Sequence, residues 1–202
     1  MPAERVRSAV LEEPSFSKAF FLRPVPEVAR DLLGALLISE VDTVVSGTVV
    51  ETEAYGGPED PASHAAVHAG ITSRNASMFG PPGRVYVYRS YGLHWCLNVV
   101  TGGVGEPGAV LIRGIEPVSG AETMAERRRG RAPLAAGPGR LTQALGVTGE
   151  LDGHDLSRPP LRLIPGMDVD ERSVGRSGRI GLSRATDRQY RFYLRGSTGV
   201  TP

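Results

Sequence analysis

Residues 85–117 read VYVYRSYGLHWCLNVVTGGVGEPGAVLIRGIEP, apolar runs broken by glycine-bearing turns. VYVYRSYG and LHWCLNVVT are rich in β-branched and aromatic residues and flank Tyr91-Gly92, which predicts a β-hairpin with Tyr91 at its tip. GAVLIRGIEP (108–117) has the nearly continuous apolar pattern of a buried strand. Toward the N-terminus, ALLISEV (35–41) and TVVSGTVVETEAY (43–55) predict a second antiparallel pair turning at Val41, Asp42 and Thr43. A short helix over 26–33, stopped by Gly34, leads into it. Toward the C-terminus, Ser119 and Glu122 have the spacing of a capping box for a helix through 126–129, and Pro138–Leu145 followed by Gly146 predicts another. RIGLS (179–183) and YRFYLRG (190–196) are expected as closing strands. The prediction is an α+β single domain over 16–202 with a curved, mostly antiparallel sheet, flanking helices and a protruding β-hairpin; residues 1–15 are expected as a flexible N-terminal arm.

The composition agrees. In 202 residues, 40% hydrophobic and 22% charged side chains are ordinary globular values, which excludes a largely disordered or collagen-like chain. No apolar stretch approaches the ~18 residues of a membrane span, and the charged opening MPAERVRSAVLEEPS has no signal-peptide core, so a cytoplasmic protein without a membrane partner is expected. Cys96 is the only cysteine, which excludes an internal disulfide framework or a zinc site of several thiolates. Net charge is +1, and Lys18 is the only lysine. Arg127, Arg128, Arg129 and Arg131 form a run that would suit phosphate contacts or simply a solvated face.

In VVETEAY the strand period of 2 places Val49, Glu51, Glu53 and Tyr55 on one face and Val50, Thr52 and Ala54 on the other. A solvated strand face would show the same alternation. However, this strand runs directly into the turn-rich stretch 56–83, which carries Asp60, His64 and His68, and a loop of that length inside a compact domain is usually functional. His64 and His68 have helical spacing and could chelate a metal with Glu53 or Asp60, although the glutamate of the H-E-x-x-H signature is missing. On the predicted hairpin, Tyr86 and Tyr88 share a face, and Tyr91 at the tip could act as a wedge in a DNA minor groove or fold back on the core. Asn98 and Arg113 sit in otherwise apolar strands and need partners or a ligand.

The segments VVETEAYGGPEDPASHA, MFGPPGRVYVYRSYGLHWCLNVV, AVLIRGIEP and AAGPGRLTQALGV occur in that order, and RFYLRGS follows near the end. Together they resemble the alkyladenine (3-methyladenine) DNA glycosylases of the human type, over roughly residues 32–163. The resemblance implies excision of damaged purines from double-stranded DNA by base flipping. It implies Glu53 as the water-activating base and Arg113 as its partner in holding the water and the flipped nucleotide. Tyr55, His64 and Tyr88 correspond to residues that stack on or hydrogen-bond around the extruded base, and Asn98 to an asparagine that crowds the 2-amino group of guanine. Tyr91 corresponds to the intercalating residue.

A lyase would need an amine for a Schiff base, and the only lysine lies outside the matched region, with the N-terminal amine as the only other candidate, so a monofunctional enzyme is expected; no metal, no cofactor and a monomer are expected as well. Arg84 and Arg89 near the hairpin and Arg140 at the start of a helix are the expected contacts to the DNA backbone. Three alternatives use the same residues: a non-catalytic damaged-DNA-binding module, a carbohydrate hydrolase with Glu51 and Glu53 as an inverting pair ~7 Å apart, and a metal hydrolase built on His64 and His68.

Overall fold

The structure is a computed structural model and describes residues 15–67 and 70–202. The predicted N-terminal arm, except Ser15, and the metal candidate His68 lie outside the described residues. Among the described residues the first two helices are α1 (Lys18–Phe21) and α2 (Val25–Asp31). Proline in the first turn of α2 loses no needed N–H, and Glu27 near its start and Arg30 near its end complement the helix dipole. Gly34 follows at φ +85°, where a Cβ would lie 2.3 Å from the Met167 carbonyl oxygen, so only glycine fits.

Among the described residues the sheet has eight strands: β1 (Leu36–Ser39), β2 (Val45–Tyr55), β3 (Val85–Ser90), β4 (His94–Thr101), β5 (Gly108–Ser119), β6 (Leu161–Ile164), β7 (Val174–Ser177) and β8 (Arg191–Leu194). The main path runs β3-β4-β5-β2-β1-β6, and every pairing is antiparallel. The centre is β2. One edge pairs with β5 along its length, whereas the other is shared by β1 near its start and β8 at Glu51, Thr52 and Glu53. Register shifts against β5 at Ser46/Gly47, Val49/Glu51 and Glu51/Thr52 are bulges, which increase local twist and curl the sheet strongly. The core joins α1, α2 and all eight strands, from Phe21 to Phe192.

Three local expectations are corrected. The bulge after Val49 breaks the assumed alternation: Val49 joins Ala54 in the core and Thr52 bonds Ala29 O beneath the sheet, while Glu51, Glu53 and Tyr55 keep the opposite face. Ser119 caps no helix. It ends β5 and its hydroxyl bonds Ser46, while α4 (Ala121–Arg127) starts from Gly120 at φ +71° without a side-chain cap. RIGLS is irregular chain and not a strand, although β8 forms as expected within YRFYLRG. Strands β6 and β7 were not anticipated; at four residues each they are too short to show a period.

Helix α5 (Pro138–Leu145) forms as predicted, with proline in its first turn and Gly146 in the left-handed C-terminal position. Leu141, Ala144 and Leu145 are buried, and Thr142 Oγ1 bonds Trp95 O of β4 at 3.1 Å. Between β2 and β3 lie α3 (His64–Val67) and a 3-10 turn over Ala76–Phe79. Between β3 and β4, Leu93 N–H bonds Ser90 O at 2.9 Å, with Tyr91 and Gly92 both at positive φ, as a tight turn of the right twist requires.

Candidate active site

A second, smaller core of Ala65, Met78, Tyr86, Val100 and Ala109, with Tyr55 and Tyr88 packed on it, supports an aromatic wall. Above it opens a cavity of about 550 Å³, within the usual range for a small-molecule site. Tyr55, His64, Tyr88, Asn98, Arg113 and the exposed Tyr91 all line it. The structure therefore brings together residues from β2, α3, β3, the following turn, β4 and β5. His64 meets the Tyr88 ring edge-on at 4.5 Å and shares a 2.7 Å hydrogen bond with the Tyr86 hydroxyl. The Arg74 guanidinium lies 5.0 Å from the Tyr88 ring. Asn98 uses its amide N–H groups on Tyr86 O and Cys96 O, at 3.0 and 3.4 Å, which leaves the cavity an acceptor and a fixed steric edge. Burial raises the phenol pKa values of Tyr55, Tyr86 and Tyr88, so all three remain O–H donors near neutral pH.

Glu53 is fully buried and does not itself line the cavity. It lies directly behind three residues that do. Its Oε1 accepts the Ile180 N–H at 2.7 Å; its Oε2 accepts the Tyr55 O–H at 2.8 Å and lies 3.4 Å from Arg113 Nη1. Burial works against the Arg113 cation, yet the carboxylates of Glu53 and Glu51 outweigh it and raise its pKa above the ordinary value. The Arg113 contact is the longest of the three, and Arg113 itself lines the cavity.

Glu51 does a different job. It accepts Arg113 Nε at 3.1 Å, Arg191 Nε at 2.7 Å and both the N–H and the hydroxyl of Thr201, at 2.8 and 2.7 Å. A carboxylate so occupied ties β5, β8 and the C-terminal segment together and is not available as the second acid of an inverting pair. Asp60 is also taken: its carboxylate is fully buried and receives two N–H groups from Arg179, at 2.5 and 2.8 Å. Among the described residues, no group of three or more His, Cys, Asp or Glu side chains is placed to hold a metal ion.

The expected backbone contacts divide. Arg89 is exposed beside Trp95, and Arg140 is exposed at the start of α5, where Pro138 reaches the cavity. Arg84 instead donates to Gly153 O at 2.9 Å, lies 3.8 Å from Asp155 and lines a separate cavity together with Lys18. Arg74, Arg179 and Ile180 were missed because loops carry no periodicity. Among the described residues, no helix is long and apolar enough to cross a membrane.

Comparison with known proteins gives a consistent answer. The model of the methylpurine-DNA glycosylase family matches residues 19–198. A protein of Granulibacter bethesdensis is 50% identical over 187 residues, covering 90% of this chain and 85% of that one. Proteins of Methanoculleus marisnigri and Rhodopseudomonas palustris are each 46% identical, covering 91% and 98% of this chain and 96% of their own lengths. All three bear the name "Putative 3-methyladenine DNA glycosylase".

Proposed function

The chain belongs to the methylpurine-DNA glycosylase family and is a DNA N-glycosylase, and we propose that it hydrolyses alkylated or deaminated purines from a nucleotide flipped out of double-stranded DNA, with Glu53 activating the water. The observation that carries this reading is the seat of Glu53, a buried carboxylate with three donors, immediately behind an aromatic cavity.

A base inside the duplex is out of reach, so the nucleotide must be unstacked first, at least cost for a damaged or mispaired base. Tyr91, 88% exposed at the tip of the β3–β4 turn, fills the gap left in the stack. The extruded purine then enters between Tyr55, His64 and Tyr88, and Asn98 forms the edge that guanine's 2-amino group meets. Cleavage of the N-glycosidic bond builds oxocarbenium character on the sugar, which a nearby carboxylate stabilises while taking the proton of the attacking water. That water enters at the long Arg113–Glu53 contact, where it comes within reach of Glu53 Oε2. A purine alkylated at N3 or N7 is already cationic in the nucleotide, takes the glycosidic electron pair and leaves as a neutral base, so it needs little acid help; a neutral lesion such as hypoxanthine would leave as an anion and needs a proton. Lys18 lines the other cavity, so no lysine is available for a Schiff base and the product is an intact abasic strand.

The test is incubation in EDTA with duplexes carrying hypoxanthine, 1,N6-ethenoadenine or 3-methyladenine, followed by alkali. The expected result is strand breaks that require the alkali and vanish in Glu53→Gln. Tight binding without breaks on any lesion would replace the enzyme by a damaged-DNA-binding module, and breaks without alkali would identify a lyase.

A further inference from the structure

The buried pair of Asp60 and Arg179 sits under the site and is not accounted for by the mechanism above. Both side chains are fully buried. Removing two charges from water is unfavourable unless the geometry compensates, and well-packed apolar residues often serve stability as well or better. The pair is also not perfected for stability, since Arg179 Nε is buried without a hydrogen-bond partner.

What the pair does achieve is placement. Arg179 Nη1 donates to Ala54 O at 2.8 Å, between Glu53 and Tyr55 on β2. The guanidinium carbon lies 4.7 Å from the Tyr55 ring centroid, so a cation supports the ring whose hydroxyl bonds Glu53. The next residue, Ile180, sends its N–H to the other oxygen of Glu53. On the acidic side, Asp60 accepts the N–H groups of Gly56 and Ala62, at 3.0 and 3.3 Å, which folds the chain that leads to His64. One ion pair therefore joins three segments distant in sequence or irregular in backbone, and each of them lines the cavity: the end of β2, the loop before α3, and residues 180–182.

We propose that Asp60 and Arg179 are positioning residues that fix the orientation of the Glu53 carboxylate and the Tyr55 ring for the chemical step. This rests on the reading of Glu53 as the water-activating base. Arg179→Lys keeps the cation but loses the two-pronged grip. The double variant Asp60→Leu with Arg179→Met removes both charges and preserves apolar packing, so the fold can survive where a single truncation would leave an unpaired buried charge.

The experiment measures single-turnover cleavage of the lesion duplex that the unsubstituted protein processes fastest, with Glu53→Gln alongside, and duplex affinity and thermal midpoint for every variant. In the lysine variant the rate constant is expected to fall about 10-fold, and in the double variant about 100-fold, with duplex affinity held within about threefold, as for a misplaced catalytic group. Partial recovery of the rate in the lysine variant relative to the double variant also supports positioning. A folded variant whose burst amplitude falls while its rate constant is unchanged shows a merely structural pair and overturns the proposal. If the unsubstituted protein releases no base, the reading of Glu53 fails and this inference falls with it; if only Glu53→Gln is inactive and both pair variants keep the rate, this inference alone falls.

Discussion

Ile180 donates its backbone N–H to Glu53 Oε1 across 127 residues of chain, at 2.7 Å. The strand that carries Glu53 supplies only the Tyr55 hydroxyl, and β5 adds Arg113 to the same oxygen. Three chain segments thus set one carboxylate, and donors that all come from cavity-lining residues distinguish it from Glu51 two positions earlier, which is held by Arg191 and Thr201 as well as Arg113.

Replacing Glu53 by glutamine keeps the shape of the side chain and removes the proposed base. Turnover is expected to fall by about 10² to 10⁴, the usual worth of a positioned proton acceptor. Affinity for lesion duplex should be retained, because the aromatic wall and Tyr91 are untouched. Single-turnover cleavage and equilibrium binding on one duplex check both halves.

Glu51→Ala is expected to act in the opposite sense. It leaves Arg191 Nε and the Thr201 N–H and hydroxyl without their acceptor and Arg113 with only the Glu53 carboxylate. Breaking a buried pair in this way costs about 3–5 kcal/mol, so urea unfolding should show a large loss of stability. The surviving folded fraction should keep a rate constant nearer the unsubstituted value than that of Glu53→Gln. A carbohydrate hydrolase using both acids would instead lose its chemistry equally with either.

The tip of the β3–β4 turn gives a prediction in which stability and binding part. Tyr91 holds φ +49°, a conformation that costs a bulky residue about 1–2 kcal/mol and glycine none. Tyr91→Gly should therefore leave thermal stability unchanged or slightly raised. Loss of a stacked ring at the gap should weaken lesion binding about tenfold, in line with about 1–3 kcal/mol per stacked base. Calorimetry and a binding titration on one preparation decide it.

Asp60 gives a pH dependence. Burial opposes its charge, but hydrogen bonds from Arg179 and the Gly56 N–H outweigh that and hold its pKa below the ordinary 3.8. A depressed folded pKa contributes stability that is complete above the unfolded value and is lost as pH falls through the folded one. Stability from this pair should thus be constant from neutrality down to about pH 5 and decline below 3.8. In the Asp60→Leu, Arg179→Met variant this part of the acid limb should flatten in unfolding curves taken across that range.

Much of the architecture was legible because its strands are long. β2, β4 and β5 announce themselves through β-branched and apolar runs, and α5 through its proline and glycine ends. The main error inside a strand came from the bulge after Val49, which inserts a residue and reverses the face without changing composition. At the site, residues on strands were readable from their chemistry, Glu53, Tyr55, Tyr88, Asn98 and Arg113 among them. Arg179 and Ile180 were not, because they come from irregular chain whose place depends on a buried ion pair with Asp60. No local spacing records that partnership.

The arginines supply the last prediction. Arg140 is exposed at the N-terminal end of α5, where the helix also favours an anion, and its Nη1 donates within the same turn to Ala136 O. Arg84 is held by Gly153 and Asp155 beside the other cavity. If Arg140 contacts a phosphate, Arg140→Ala should weaken binding to damaged and undamaged duplexes alike and lower the slope of log affinity against log salt by about 1. Arg84→Ala should change that slope less, because its guanidinium donates to Gly153 O and lies beside the Asp155 carboxylate. Equal effects of the two substitutions would mean that the backbone contact lies elsewhere, or that DNA reaches around to the second cavity.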